Sequence, residues 1–510
     1  MKVLLMHQDR NFDSDAELPP QSQALIADLG LEVMFEAMSG EDEYLHHVVQ
    51  HAVLVSLVAP DEIEYRQHIL ADCLAHPDFA RELYALAVEP TIRQKKIFRS
   101  LSSNNPGALL SGSVSVLEMA FDLLKQLRTL AETSSGEFDS DGLTNFCAML
   151  VRELDDEYLQ AVGEHLKQLR FGHGVLISAE LDEGNKGRNY ILRKVRKTRW
   201  SLTDFLFGDG RDEFSFRIAE RDEAGARAVS ELRAHGINLV ANALTQSTVH
   251  ILGFFAALRA ELAFYVGCIN LEERLKALHE VTCMPTPVSG DQMILTSRGL
   301  YDLGLRLSKD GEIVGNEVDG PGKSLLMVTG ANQGGKSTFL RSLGQAQLMM
   351  QCGMFVSAQD LRANVSTGVF THFKREEDSR MESGKFVEEL NRMSEIADQI
   401  RPGSIMFFNE SFASTNEREG SEIARHVIGA LIDAGVKVVF VTHMFDLAGG
   451  LYAERRDDAV FLRAERRSDG HRTLKIIEGE PLSTSYGDDL YAQIFEEPAS
   501  AANVAMGATK

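Results

Sequence analysis

The 510 residues include 75 acidic and 52 basic side chains, a formal net charge of −23, with 44% hydrophobic and 25% charged residues. These are ordinary globular values over a length that accommodates roughly three domains, and the acidic balance excludes indiscriminate coating of nucleic acid, which needs clustered Lys and Arg. No run approaches roughly 18 apolar residues, Val3 to Met6 is too short for a secretory signal, and Cys73, Cys147, Cys268, Cys283 and Cys352 lack CxxC spacing, so a reduced cytoplasmic protein without a membrane span is expected.

In chain order, residues 1–107 read as an N-terminal helical domain broken at Pro19-Pro20 and Pro60 and ending at Asn104-Asn105-Pro106-Gly107. His47 and His51 are an i,i+4 pair beside His46, but no Cys, Asp or Glu completes a metal motif, so surface histidines are expected. Residues 108–284 read as a helical core or lever, interrupted at Thr133-Ser134-Ser135-Gly136. A small β insertion at about 174–220 starts with Val175 to Ser178 and Tyr190 to Leu192, which flank Glu183 to Gly187 as a hairpin. Glu213 to Ile218 adds a candidate strand. Between them, Arg193, Lys194, Arg196, Lys197 and Arg199, followed by Trp200, form a basic stretch that can touch DNA phosphates. A solvated strand with an anchored Trp is the competing reading. Ala224 to His279 is long, helical and free of proline, with the apolar spacing of a packing helix.

The most specific local signal follows. Leu325 to Val328 is an apolar run suited to a buried parallel strand, and Thr338 to Met350 has helical periodicity. Between them, Gly330 is followed after four residues by Gly335-Lys336-Ser337, the spacing of a phosphate-binding loop. Backbone amides and the positive helix end hold phosphates in such a loop. Lys336 neutralises the β and γ phosphates and the Ser337 hydroxyl binds Mg²⁺, so ATP and Mg²⁺ are the expected cofactors. A second apolar run, Ser404 to Phe408, ends in Asn409-Glu410; Glu410 is the candidate for orienting the attacking water. A third, Val438 to Thr442, ends in His443, a candidate sensor of the γ phosphate.

Thr329-Gly330-Ala331-Asn332-Gln333-Gly334-Gly335-Lys336-Ser337-Thr338-Phe339-Leu340-Arg341 resembles the TGPNxGGKSTxLR loop of the MutS family of mismatch-repair ATPases. Val441 to Leu447 resembles that family's ATH-x-F-E-L segment, Val314-Gly315-Asn316-Glu317 its V-P-N-D, and Gly479 with Ser485-Tyr486-Gly487 its closing G…SYG element. The resemblance is strong over about 290–490, weaker over 110–285, and undetectable over 1–105. It implies an α/β P-loop (ABC-type) ATPase domain at 285–495, attached to a mostly α-helical core and lever with a small β hairpin, and followed by a flexible tail at 496–510. It also implies a homodimeric, nucleotide-driven switch on DNA in mismatch repair or recombination, with Gly330, Asn332, Gly334, Gly335, Lys336, Ser337 and Thr338 around phosphates and magnesium. Ile313 and Lys475 fall at the adenine by position, and Thr415 and Asn416 where the family reaches across the dimer.

Several positions depart from the family pattern. Asn409 stands where the family has the Asp of D-E-I-G-R-G-T-S, so it contributes an oxygen but no charge to the metal shell, and slow turnover is expected. Asn416 replaces a serine, and Gly384-Lys385 replace hydroxyls before Phe386 and Glu389, which are retained. Phe35-Glu36 lacks the spacing of the family's mismatch-reading wedge, a nuclease module after Tyr491 is not expected, and residues 1–107 are left as a candidate surface for a protein partner. Two other readings remain: a nucleotide-gated adaptor that binds a protein and not DNA, and a scaffold that holds ATP without turnover.

Overall fold

The computed structural model describes residues 1–101, 106–171, 174–183, 187–193, 217–219, 221–289, 293–309, 311–375, 384–454, 456–467 and 472–482. The first elements are helices: α1 (Ser22–Leu29), α2 (Glu32–Ser39), α3 (Glu43–Leu54), α4 (Pro60–Ala75), α5 (Pro77–Leu101), α6 (Pro106–Thr133), α7 (Asp141–Glu153) and α8 (Asp156–Leu169). A hairpin, β1 (Leu176–Leu181) and β2 (Gly187–Arg193), precedes the long helix α9 (Glu223–Ala277). Then come β3 (Thr286–Val288), β4 (Leu295–Leu300), α10 (Leu303–Ser308), β5 (Asn316–Asp319), β6 (Leu325–Thr329), α11 (Lys336–Gln351), β7 (Asp360–Asn364) and β8 (Val369–Phe373). The last are α12 (Lys385–Gln399), β9 (Ile405–Asn409), α13 (Glu417–Asp433), β10 (Lys437–Val441), α14 (Phe445–Ala453), β11 (Ala459–Arg466) and β12 (Arg472–Glu478).

Local chemistry accounts for many boundaries. The Asp42 carboxylate accepts from the amides of Tyr44 and Leu45 at 2.9 and 3.1 Å, Asp155 from Tyr158 at 2.8 Å, and the Asn416 side chain from Glu419 at 3.0 Å, the N-cap arrangement that satisfies first-turn donors. Pro60 starts α4 at a position where its missing N–H costs nothing. The expected helix at 338–350 starts two residues earlier, at Lys336, and the three apolar runs are the strands β6, β9 and β10. The expected hairpin is present as β1 paired antiparallel with β2. Residues 213–216 of the further strand lie outside the described residues, and 217–219 have no regular structure.

The chain divides into two compact units. One comprises residues 1–3, 78–138 and 143–262; the other comprises 4–77, 139–142 and 263–510. This differs from the boundaries expected at 107 and 284, because residues 4–77 are tied to the segment that follows the phosphate loop. Arg66, 1% exposed, donates from Nε and Nη2 to Met6 O at 3.2 and 3.1 Å and from Nη1 to Cys352 O at 3.0 Å. Gln351 Nε2 donates to Leu57 O at 2.9 Å and Gln345 Nε2 to Leu29 O at 2.8 Å. A Cβ at Gly344 would lie 2.5 Å from a methyl of Leu29, so a larger residue there would push the Leu29 side chain of α1 aside. Residues 139–142 join the same unit because Asp72 accepts from the Ser140 amide at 2.8 Å.

In the larger unit, one sheet runs β12-β11-β6-β10-β9-β8, parallel except for β12, and a second runs β3-β7-β4-β5. Sequence reasoning identified none of the second sheet. The parallel register pairs Val441 with Val328 on one side and with Asn409 on the other, so β6, β10 and β9 end at one level. Met327, Met406, Phe408, Val438 and Phe440 pack in one core with Ile428 and Leu447 from the covering helices. In the smaller unit, Leu110 and Val114 of α6 pack with Ile237 and Ala241 of α9, against Val175 and Leu192 at the hairpin base.

Helices α6 and α9 are long and apolar enough to cross a membrane by length and composition, which corrects the expectation that nothing here would pass that test. In each, more than half of the apolar window is buried inside the protein, as in core helices. His46 lies 2.8 Å from Glu32 and the His47 and His51 rings meet at a tilt, 4.2 Å between centroids; among the described residues no group of three His, Cys, Asp or Glu could hold a metal. Replacing Arg66 with alanine leaves the Met6 and Cys352 carbonyls without these donors, so equilibrium urea unfolding is expected to show a loss of roughly 3 kcal/mol. A change below about 0.5 kcal/mol would show that Arg66 does not hold residues 4–77 in this unit.

Candidate functional site

The phosphate loop leaves β6 and enters α11 through backbone that only glycine adopts easily. Gly330 and Gly335 have φ of +116° and +90°, and a Cβ on Gly330 would meet the Ala464 amide at 2.9 Å. One on Gly334 would lie 2.7 Å from Ala464 Cβ and 2.9 Å from Ala331 O. β11 therefore presses on one side of the loop, and β12 on another, where Leu474 O lies 3.3 Å from the Gly335 Cβ position. Gly335 is the N-cap of α11 and supplies no side-chain cap, so the first-turn amides stay available to an anion.

Charged side chains converge on this loop. Lys336, 5% exposed, donates from Nζ to Gly330 O at 2.9 Å and Ala331 O at 3.2 Å, and lies 3.8 Å from Glu410 Oε1. Burial pulls its pKa below the ordinary lysine value, with Glu410 opposing. Ser337 Oγ donates to Asn409 Oδ1 at 3.0 Å. Glu410 Oε2 accepts hydrogen bonds from the His443 backbone amide at 3.2 Å and from Nδ1 of the same residue. Burial raises the Glu410 pKa, but the His443 hydrogen bond and the His443 and Lys336 charges outweigh it and leave the carboxyl below its usual range. The same hydrogen bond raises His443 above the ordinary histidine value against burial. These residues come from the ends of β6, β9 and β10, which share one register level.

This donor set fits ATP with Mg²⁺. The loop offers open amides and a buried lysine to phosphates, and the Ser337 hydroxyl and Asn409 amide oxygen, already in contact, form a neutral oxygen pair for a hard cation. A cleft of about 310 Å³ beside the loop is lined by Thr329, Gly330, Glu417, His443, Met444 and Phe445, among others.

Two family models match this chain: the MutS2 N-terminal domain over residues 58–278 and MutS domain V over residues 326–509. The chain belongs to the MutS family. It is 29% identical over 225 residues to the endonuclease MutS2 of Lacticaseibacillus casei, covering 41% of this chain and 28% of that protein. It is 31% identical over 139 residues to the DNA mismatch repair protein MutS of Chloroflexus aurantiacus, covering 26% of this chain and 14% of that one. To the MutS protein homolog 4 of Mus musculus it is 26% identical over 168 residues, 33% of this chain and 17% of the relative. Each match thus spans under a third of the relative's length.

Other residues singled out by the MutS resemblance occupy varied settings. Lys475 Nζ donates to Gly315 O, two residues beyond Ile313 in sequence. Asn316 accepts from the Ile476 amide at 2.8 Å, tying the segment ahead of the loop to β12. Asn416 caps α13, and Thr415 donates to Glu419 Oε2 at 2.8 Å; both side chains are engaged within their own turn. Arg193 Nε donates to Ser178 Oγ at 2.9 Å, whereas Lys194, Arg196, Lys197, Arg199 and Trp200 lie outside the described residues, as does Ser485-Tyr486-Gly487.

Sequence reasoning missed Arg472, whose Nη1 donates to Gln333 Oε1 at 3.2 Å and brings a further cation over the loop. No local spacing points to it, because 139 residues separate the partners.

The Glu410–His443 pair predicts a pH signature. His443 has a folded pKa raised above 6.5, so its contribution to stability is full below about 6.5 and fades as pH rises through the folded value. The melting-temperature gap between the wild type and His443→Ala is expected to narrow between pH 6 and pH 9. A gap that is constant or widens would show that the pair does not form. Because His443 is half-exposed, solvent screening keeps the effect small.

Proposed function

We propose that this chain is a MutS-like ATPase that binds ATP with Mg²⁺, hydrolyses it slowly, and acts as a homodimeric conformational switch on DNA in mismatch repair or recombination-related processing. The observation that carries the reading is the meeting of Lys336, Ser337, Asn409, Glu410 and His443 at one level of three parallel strands. Lys336 and the loop amides bind and orient phosphates. Ser337 and Asn409 hold the metal, which supplies charge neutralisation when bound. Glu410 orients the attacking water and takes its proton, with His443 holding the carboxylate and reading the γ phosphate. Thr415 and Asn416 act across the dimer, and Ile313 and Lys475 flank the base.

Glu410→Gln is expected to lower single-turnover hydrolysis by about 100-fold while nucleotide binding persists. Equal rates in the two proteins would remove the assigned role. Asn409→Asp restores a charge to the metal shell, so half-saturation by Mg²⁺ is expected at a concentration roughly tenfold lower. No shift in a Mg²⁺ titration of ATPase rate would exclude Asn409 from that shell.

The net charge of −23 favours a second reading, a nucleotide-gated adaptor for a protein partner, contacted for instance through residues 1–107. Binding to duplex, mismatched and branched DNA across a salt series separates the two. Absence of any DNA binding at low salt, with or without ATP, would favour the adaptor.

A further inference from the structure

The turn that presents Glu410 has an unusual backbone. Glu410 and Phe412 have φ of +53° and +62°, left-handed values that are strained for non-glycine residues and persist only where their surroundings hold them there. What holds this turn is buried and polar. The Phe412 amide donates to Glu389 Oε1 at 2.5 Å. Ser411 Oγ donates to His372 O at 2.5 Å and lies 2.8 Å from His372 Nδ1, while His372 Nε2 lies 3.0 Å from Glu389 O. The His372 ring stacks on Phe412 at 5.5 Å with an interplanar angle of 18°. His372, Ser411 and Phe412 are fully buried and Glu389 is 2% exposed. Burial, aided by Arg392, lowers the His372 pKa to about 4, so near neutral pH the ring is uncharged and Nε2–H donates to the Glu389 carbonyl.

A carboxylate this deeply buried is costly without compensation: Arg392 offers it a charge, while Glu389 Oε2 has no hydrogen-bond partner among the described residues. Its other oxygen accepts from an amide two residues from Glu410, across 23 positions of sequence. α13 closes the far side: a Cβ on Gly420 would lie 2.2 Å from Phe412 O. The turn is therefore pinned from β8, α12 and α13 together.

We propose that Glu389 and His372 are positioning residues that hold the 410–412 turn so that the Glu410 carboxylate stays between Lys336 and His443. Neither touches nucleotide; both act through Glu410, and the proposal rests on the hydrolytic role given to Glu410 above. Loss of the Glu389 acceptor frees the Phe412 amide, the turn leaves its left-handed conformation, and the carboxylate swings off the reacting water. Errors of about 1 Å at such a group cost on the order of 100-fold in rate.

The test uses the full chain with Glu389→Ala, Glu389→Gln and Ser411→Ala, each alone and in a Glu410→Gln background. Single-turnover ATP hydrolysis is measured beside equilibrium affinity for a fluorescent ATP analogue. Glu389→Ala is expected to lower the hydrolysis rate about 30-fold with affinity changed less than about twofold. Glu389→Gln keeps an oxygen acceptor and is expected to recover most of the rate, and Ser411→Ala to lose about threefold. In the Glu410→Gln background none of them lowers the residual rate further. The proposal is overturned if Glu389→Ala leaves the rate intact, lowers affinity and rate alike, or multiplies the Glu410→Gln loss. Should Glu389→Ala fail to fold, Ser411→Ala decides by the same criteria. If Glu410→Gln hydrolyses as fast as wild type, the parent reading has fallen and this one with it; an inert Glu389 beside an essential Glu410 sinks this one alone.

Discussion

The site depends on one electrostatic constraint: Lys336 and Glu410 are both largely buried, and each compensates the other. Their 3.8 Å approach, extended by the His443–Glu410 hydrogen bonds, brings a cation, a carboxylate and an imidazole together. Removing the Glu410 charge would leave the buried Lys336 ammonium with only the Gly330 and Ala331 carbonyls, which is unfavourable, whereas Glu410 without Lys336 would keep His443. The alignment follows from sheet register. Since Val441 pairs with both Val328 and Asn409, the residues just beyond the three strands are neighbours despite separations of more than thirty positions.

The helix that carries the phosphate loop is clamped on several faces. Nearly every residue of α11 is buried, including Gln345, Gln347 and Gln351, whose amides span to Leu29, Asn364, Leu57 and Ser366. Buried amides of this kind specify one packing arrangement, since any slip leaves donors unmet. Residues 4–77 are thereby part of the frame around the loop. A nucleotide-dependent displacement of α11 would have to carry α1 with it or break these bonds.

Legibility in the sequence followed the range of the interactions concerned. The phosphate loop was readable because glycine spacing, a strand-like apolar run and a helical run lie within about thirty consecutive residues. The hairpin and the long helix were readable from period alone. The second sheet escaped because its strands β3, β4, β5 and β7 are short and carry polar residues such as Thr286, Arg298, Glu317 and Arg362. Strand β8 escaped because Thr371 and His372 interrupt its apolar run, although every residue in it is buried. Glu389 stood out only through the family resemblance, and its hydrogen bond to the Phe412 amide has no local signature.

The sequence by itself determined the phosphate loop, the strands that end at Glu410 and His443, and the family, because each rests on residue identity within a short window. Tertiary structure alone decided that residues 4–77 join the unit carrying the loop, that Ser337 meets Asn409, and that Glu389 and His372 grip the turn behind Glu410. Those contacts join residues from 23 to 286 positions apart, and close packing, which has no sequence period, brings them together.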